Sequence, residues 1–284
     1  MPTDLCSLDG RILPVAEARI DPLDRGLLFG DALYEVVKVI NGRILHFEPH
    51  LERLATGLER LEIPPPQGLE LSCRALTKAS DLDSGSLFLQ VTRGVAPRSH
   101  RPPTGQEPTV LILPMSHAHD SPAGRPRTAI TMSDPRWAHC DLKTTSLLAT
   151  VTGKLAASTA DVDEVVFIGP SGDLREGGST NVFVRHNDRL ETCPTDGRIL
   201  PGVTRSLILA FADKLGYPVI ERAPRIAERD GWQEAFLCGT LTGIQPLAIL
   251  DRKAVGLETT GEWTRELALA LEEYEARLLE VLRS

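Results

Sequence analysis

Residues 34–66, YEVVKVINGRILHFEPHLERLATGLERLEIPPP, set the architecture of the chain. Tyr34 to Ile40 is rich in β-branched residues and alternates as a strand does. Asn41-Gly42 offers the two residues that best tolerate positive φ in a two-residue hairpin turn, so Arg43 to Phe47 is expected to return beside the strand. From about Glu48 the period changes. Leu51, Leu54, Leu58 and Leu61 form one apolar stripe of a helix. Pro64-Pro65-Pro66 stops that helix, because proline lacks an N–H and clashes with the preceding turn.

Working outward, a second helix is expected near Leu69 to Ala79, then apolar strands at Ser86–Arg93 and Thr109–Pro114. The run SHAHDSPAGRPR, residues 116–127, is polar and rich in Pro and Gly, which marks a boundary. Beyond it come a strand at Thr128–Ser133 and a helix from about Thr144 to Ala160. Short strands follow at Val165–Ile168, Asn181–Arg185 and Arg189–Cys193. Pro201-Gly202-Val203-Thr204 opens an amphipathic helix ending near Gly216. Strands at Ala235–Thr240 and Pro246–Leu250 precede a long Leu-rich helix from about Gly261. The pattern predicts an α+β fold: a small α+β domain over residues 1–115, an interdomain linker over 116–124 and a larger barrel-like domain over 125–284.

Composition narrows the function. The 284 residues are 42% hydrophobic and 25% charged, with a net charge of −8, as in a globular protein without a broad basic face. Contact with nucleic acid or an anionic membrane surface is therefore not expected. No apolar stretch has the length of a membrane span, and MPTDLCSLDG is not a secretory signal, so a cytoplasmic location is expected. The five scattered cysteines read as reduced, mostly buried thiols. His46 and His50 are separated by Pro49 and have no third ligand nearby, so no metal site is expected there. His117 and His119 fall in the linker and read as solvated.

Only six residues are lysine: Lys38, Lys78, Lys143, Lys154, Lys214 and Lys253. A lysine that works through a neutral amine needs desolvation or neighbouring positive charge. Lys78 and Lys214 sit near helix C-termini, where a solvated cation is favoured. Lys253 is in a turn, Lys154 follows Gly153 in a helix, and Lys38 lies on a strand and could point either way. Lys143 sits at a junction, Cys140-Asp141-Leu142-Lys143-Thr144-Thr145, between Trp137 and a helix start. Read from position alone, a solvated loop lysine is the more economical reading. No dinucleotide or P-loop glycine fingerprint and no G-x-S-x-G elbow occurs; Gly177-Gly178-Ser179-Thr180 does not lead into a helix pattern. The Val203-Thr204 helix opening could hold a phosphate on its N–H groups, and Thr204 fits an ordinary cap equally well.

Five blocks carry a resemblance. They are Asp24-Arg25-Gly26 with Phe29-Gly30-Asp31 and Tyr34-Glu35; His50-Leu51-x-Arg53-Leu54; Asp141-Leu142-Lys143; Glu176-Gly177-x-Ser179-x-Asn181-Val182-Phe183; and Pro201-Gly202-Val203-Thr204-Arg205. In this order the chain resembles the class IV aminotransferases, the fold-type IV enzymes of pyridoxal 5′-phosphate (PLP). Val91-Thr92-Arg93-Gly94 with Pro97-Arg98-Ser99-His100, and Arg136-Trp137 with Cys140-Asp141, make it similar to the D-amino acid transaminases within that family.

The resemblance implies that Lys143 carries PLP as a Schiff base and shuttles the proton of the substrate α-carbon. It implies that Glu176 faces the pyridine nitrogen, a position otherwise read as a turn carboxylate. Arg53, Val203, Thr204, Gly239 and Thr240 would bind the phosphate; from its helical angle alone, Arg53 reads as a surface arginine. Tyr34, Arg98 and His100 would bind the substrate carboxylate, with Arg98 and His100 coming from the other subunit of a homodimer. Leu241 and Phe88 depart from the subgroup, Phe88 by replacing an expected tyrosine hydroxyl. The implied reaction is ping-pong transamination between a D-amino acid and a 2-oxo acid, with PLP in a cleft between the domains. The alternatives are a branched-chain L-amino acid or (R)-amine transaminase, an aminodeoxychorismate lyase, or a non-catalytic PLP-binding protein.

Overall fold

The computed structural model describes residues 4–118, 125–256 and 260–282. Residues 4–118, 142–146 and 278–282 make one compact unit; residues 125–141, 147–256 and 260–277 make a second. Residues 119–124 of the expected linker, His119 among them, lie outside the described residues.

The first unit runs β1 (Leu5–Leu8), β2 (Arg11–Pro14), α1 (Arg25–Phe29), β3 (Ala32–Ile40), β4 (Arg43–Ile44), α2 (Phe47–Arg60), α3 (Leu69–Ala79), β5 (Gly85–Thr92) and β6 (Val110–Ser116). Its antiparallel sheet has the order β2-β1-β6-β5-β3-β4. Asn41 and Gly42 take φ values of 51° and 67° at the expected turn. The returning strand is shorter than expected, because His46 turns left-handed at φ 52° and Phe47 already begins α2. Alternation along β3 buries Leu33, Glu35, Val37 and Val39 on one face. Leu33 packs with Leu54 and Leu58 of α2, and Val37 and Val39 pack with Phe47, Cys73 and Leu76. His117 is half-buried and lies 3.0 Å from Ser86 Oγ, so it is not the solvated linker residue the sequence pointed to.

The second unit runs β7 (Arg127–Ser133), α4 (Leu148–Thr159), β8 (Glu164–Ile168), β9 (Leu174–Gly177), β10 (Asn181–His186), β11 (Arg189–Thr192), α5 (Val203–Leu215), β12 (Val219–Ile220), β13 (Trp232–Gly239), β14 (Gly243–Leu250), β15 (Lys253–Ala254) and α6 (Glu262–Val281). The strand path β10-β13-β14-β7-β8-β9 closes on itself, because β9 also pairs with β10 through Glu176 and Asn181. This six-stranded ring is the barrel that the many short strands predicted. Each of its strands contributes to one apolar cluster: Ala129, Val166, Leu174, Val182, Leu237 and Leu247 among others. Phe183 and Phe236 point the other way, stack with centroids 5.1 Å apart, and pack under Ile208 and Phe211 of α5 and Leu267 and Leu271 of α6. No described helix is long and apolar enough to cross a membrane.

The helix expected from Thr144 begins only at Leu148. Residues 144 and 145 are committed elsewhere: Thr144 bridges Leu33, and Thr145 N–H donates to the Ala32 carbonyl at 3.2 Å.

Candidate active site

In the first unit, the start of β3 has an open edge, because β4 pairs only with Val39 and Ile40. The Lys143 segment occupies it. Tyr34 N–H donates to the Lys143 carbonyl at 2.9 Å, while Leu142 packs into the cluster of Leu33, Leu54 and Leu58. With its backbone so fixed, Lys143 places Nζ 4.4 Å from the Tyr34 ring centroid, over an electron-rich face. Lys143 is half-buried, not a solvated loop residue. Tyr34 lies on the β3 face opposite Glu35, and its ring stands 5.4 Å from that of Phe88.

Glu35 projects toward α2. Arg53 donates to it from Nε and Nη2, both at 2.7 Å, and His50 Nδ1 lies 2.7 Å from Oε2. Arg53 is 12% exposed and Glu35 fully buried, so Arg53 is not a surface arginine. Burial would raise the Glu35 pKa, but the hydrogen bonds and charge of His50 and Arg53 outweigh it and hold the carboxyl at about 2. Burial lowers the pKa of His50; Glu35 opposes that, and Arg53 and Lys143 add to it. The ring is therefore neutral, with Nδ1–H donating to an anionic carboxylate that can only accept. Glu35 lies fifteen residues from His50 and eighteen from Arg53, so no local pattern in the sequence showed that the three would meet.

Arg98 and His100 are exposed and gather on one aromatic ring. The Arg98 guanidinium lies 5.5 Å from the Phe29 centroid, and the His100 ring meets Phe29 edge-on at 5.6 Å.

In the second unit, Glu176 is buried and held on both oxygens. Oε2 accepts from Asn181 Nδ2 at 3.1 Å and from Leu200 N–H at 3.0 Å, and Oε1 accepts from Arg136 Nη1. Burial would make the Arg136 guanidinium easier to deprotonate, but Asp134 and Glu176 raise its pKa instead, so it stays a cation beside Glu176. Arg136 stands in one of the stretches that carry the resemblance, but its partner lies forty residues on, so no local signal gave its role.

Asn181 connects Glu176 to the start of α5. A Cβ on Gly202 would fall on Asn181 Oδ1, so the helix begins where only glycine fits. Gly202 offers no side-chain cap, which leaves the first N–H groups of α5, those of Val203 and Thr204, to other acceptors. Gly239 ends β13 beside the Ser179–Thr180 turn: a Cβ there would lie 3.4 Å from the Ser179 carbonyl oxygen. Thr240 follows in the β13–β14 turn.

Taken unit by unit, these groups suit separate parts of the cofactor that the resemblance implies. A glycine-opened helix N-terminus suits a phosphate, a buried carboxylate suits a protonated ring nitrogen, and a lysine amine over an aromatic ring suits an aldehyde. Cysteine chemistry does not compete. Burial pushes the thiol of Cys140 up to about 11 and those of Cys73, Cys193 and Cys238 to about 12, so they stay protonated. A cluster of His186, Glu191 and Glu228 could ligate a metal by geometry, but Arg222 donates to both of its carboxylates and Arg189 to Glu191.

A family model described as "Amino-transferase class IV" matches residues 32–250. D-alanine aminotransferase of Bacillus licheniformis is 31% identical over 274 residues, covering 93% of this chain and 94% of that protein. D-alanine aminotransferase of Staphylococcus aureus (strain COL) is 30% identical, covering 94% and 96%. Among solved structures, the Escherichia coli branched-chain amino acid aminotransferase shares the fold at a TM-score of 0.88 and 22% identity, covering 95% of this chain and 94% of that one. The 4-amino-4-deoxychorismate lyase of Pseudomonas aeruginosa gives a TM-score of 0.84 and 29% identity, covering 95% and 98%. With its family blocks, its sheet-and-barrel architecture and these relatives, the chain belongs to the class IV aminotransferases, a family of PLP-dependent enzymes.

Proposed function

We propose that this enzyme transfers the amino group of a D-amino acid to a 2-oxo acid, with PLP carried on Lys143. The observation that carries the reading is the fixing of Lys143 along β3, with Nζ 4.4 Å from the centre of the Tyr34 ring. When bound, PLP supplies an aldehyde for the amino group and a protonated ring that accepts the electron pair of the α-carbon. Lys143 binds the cofactor and then takes and returns the proton of the substrate α-carbon. Glu176 holds the proton on the ring nitrogen, and Arg136 beside it favours the charged carboxylate. Arg53, Val203, Thr204, Gly239 and Thr240 bind the phosphate. Glu35 orients Arg53 by occupying its Nε and Nη2 donors.

Tyr34, Arg98 and His100 bind the substrate carboxylate, with Arg98 and His100 serving the neighbouring subunit of a homodimer. Which enantiomer presents its α-hydrogen to Lys143 then depends on where the carboxylate is held. The relatives named D-alanine aminotransferase support the D-reading. Phe88, an apolar ring beside Tyr34, favours a second reading in which branched-chain L-amino acids or amines are accepted.

Adding D-alanine and then L-alanine to the PLP-loaded enzyme separates the two. The absorbance of the lysine-bound cofactor is expected to bleach with D-alanine and persist with L-alanine; bleaching with the L-form alone sinks the D-reading. Lys143→Ala is expected to abolish that absorbance and lower transamination by about 10⁴-fold. If the absorbance survives, another lysine carries the cofactor.

A further inference from the structure

Arg25 lies outside the side chains assigned above, yet it touches the loop that bears two of them. It opens α1, and its side chain is 4% exposed. A guanidinium desolvated to that degree is tolerable only if its donors are used. Nε donates to Asp31 Oδ2 at 2.8 Å, and Nη1 donates to the Ser99 carbonyl oxygen at 2.6 Å. Ser99 is the residue between Arg98 and His100, in a stretch that is exposed throughout. The Arg25 guanidinium also lies 4.8 Å from the centroid of the Phe29 ring, the ring on which Arg98 and His100 gather. One buried cation thus holds the backbone between two exposed side chains and supports the ring beneath both.

The clamp is anchored. Asp31 also accepts from Arg93, at 2.8 Å from Nε and 3.1 Å from Nη2. Arg93 in turn donates to the Leu61 and Glu62 carbonyls at 2.7 and 3.0 Å. Burial would raise the Asp31 pKa, but the hydrogen bonds and charges of Arg93 and Arg25 keep it below the usual carboxylate range. Asp31 is therefore a fixed anion, and Arg25 reaches from it to Ser99.

We propose that Arg25 is a positioning residue for carboxylate recognition: it sets the spacing and direction of Arg98 and His100 by fixing the Ser99 carbonyl and supporting Phe29. The inference rests on the reading of Arg98 and His100 as the pair that binds the substrate carboxylate. The task calls for a planar fork with a face for an aromatic ring, and a lysine ammonium has neither.

The test uses PLP-loaded enzyme and propionate, a carboxylate without an amino group, in the wild type and in Arg25→Lys, Phe29→Leu and Arg98→Ala. Phe29→Leu keeps the inference testable if Arg25→Lys does not fold. Arg25→Lys and Phe29→Leu are each expected to weaken propionate binding about tenfold and raise KM for D-alanine by a similar factor. kcat and the affinity for PLP are expected to stay within about threefold of the wild type, a split that general structural damage would not produce. Propionate affinities within about twofold of the wild type in both variants, or a parallel fall in PLP affinity, would overturn the proposal. Arg98→Ala separates the failures. If it leaves propionate binding intact, the carboxylate reading fails and this inference falls with it. If it weakens binding while the other two variants do not, only the role of Arg25 is lost.

Discussion

Glu35 is a buried carboxylate with two partners of different kinds, a permanent cation and a neutral ring. Replacing it by glutamine keeps the shape but leaves Arg53 without its anion. Because breaking a buried pair strands a charge, Glu35→Gln is expected to cost about 3 kcal/mol in denaturant unfolding. The same cluster sets a pH dependence. The His50 pKa is lowered from 6.5, so below that pH the unfolded chain takes up a proton that the folded chain refuses, and stability falls. A second decline begins near 4.5, the ordinary value of Glu35, and runs down toward about 2, its folded value. The thermal midpoint should therefore drop as pH is lowered from 7 to 5, and His50→Gln should flatten that drop; a midpoint that rises over this range would contradict a neutral His50. The residues of this cluster were visible in the sequence as parts of recurring blocks. Their pairing was not, since a strand residue and a helix residue meet only once the sheet has buried its face.

Elements were legible where their signals are local. The helix over Leu69–Ala79 and the one opened by Pro201-Gly202 stand where expected, the latter ending at a left-handed Gly216 with φ 75°. The start of α4 was misplaced because the backbone of Thr144 and Thr145 is used by a strand far back in the chain, a pairing that no local pattern shows. The opening of α5 shows how closely two elements can be fitted. Gly202→Ala has no backbone strain to pay, at φ −65°, but its methyl would fall on Asn181 Oδ1. The expected cost is about 1–3 kcal/mol, as for other overpacked sites. Asn181→Ala removes the clash, so the double variant should be less destabilised than the sum of the two single changes, by about 0.5–3 kcal/mol in chemical unfolding. Strict additivity would mean that Asn181 moves aside freely and that Glu176 is not held by it.

At the scale of the whole molecule, the ring of strands stands out. Its existence was foreshadowed by the number and shortness of the strands. The seam at which it closes was not, because β9 and β10 join through the Gly177–Thr180 turn, a segment whose sequence excluded a phosphate loop but named no alternative. β7 also lies parallel to both β8 and β14, a pairing across long separations that no local pattern encodes. Closure predicts a hierarchy of amide exchange. The amides of β10, flanked by β9, β11 and β13, should exchange last, and those of the exposed two-residue strands β12 and β15 first. If β9 exchanges as fast as β15, the ring is open at that seam. The grouping of residues 142–146 with the first unit has a consequence for ancestry. A crossover between two related genes near residue 119 would give the offspring its Tyr34 from one parent and its Lys143 from the other. Such hybrids would inherit a lysine that had never been matched to the strand beneath it. Tyr34 and Lys143, whose side chains meet, are therefore best handed down together, however far apart they are written.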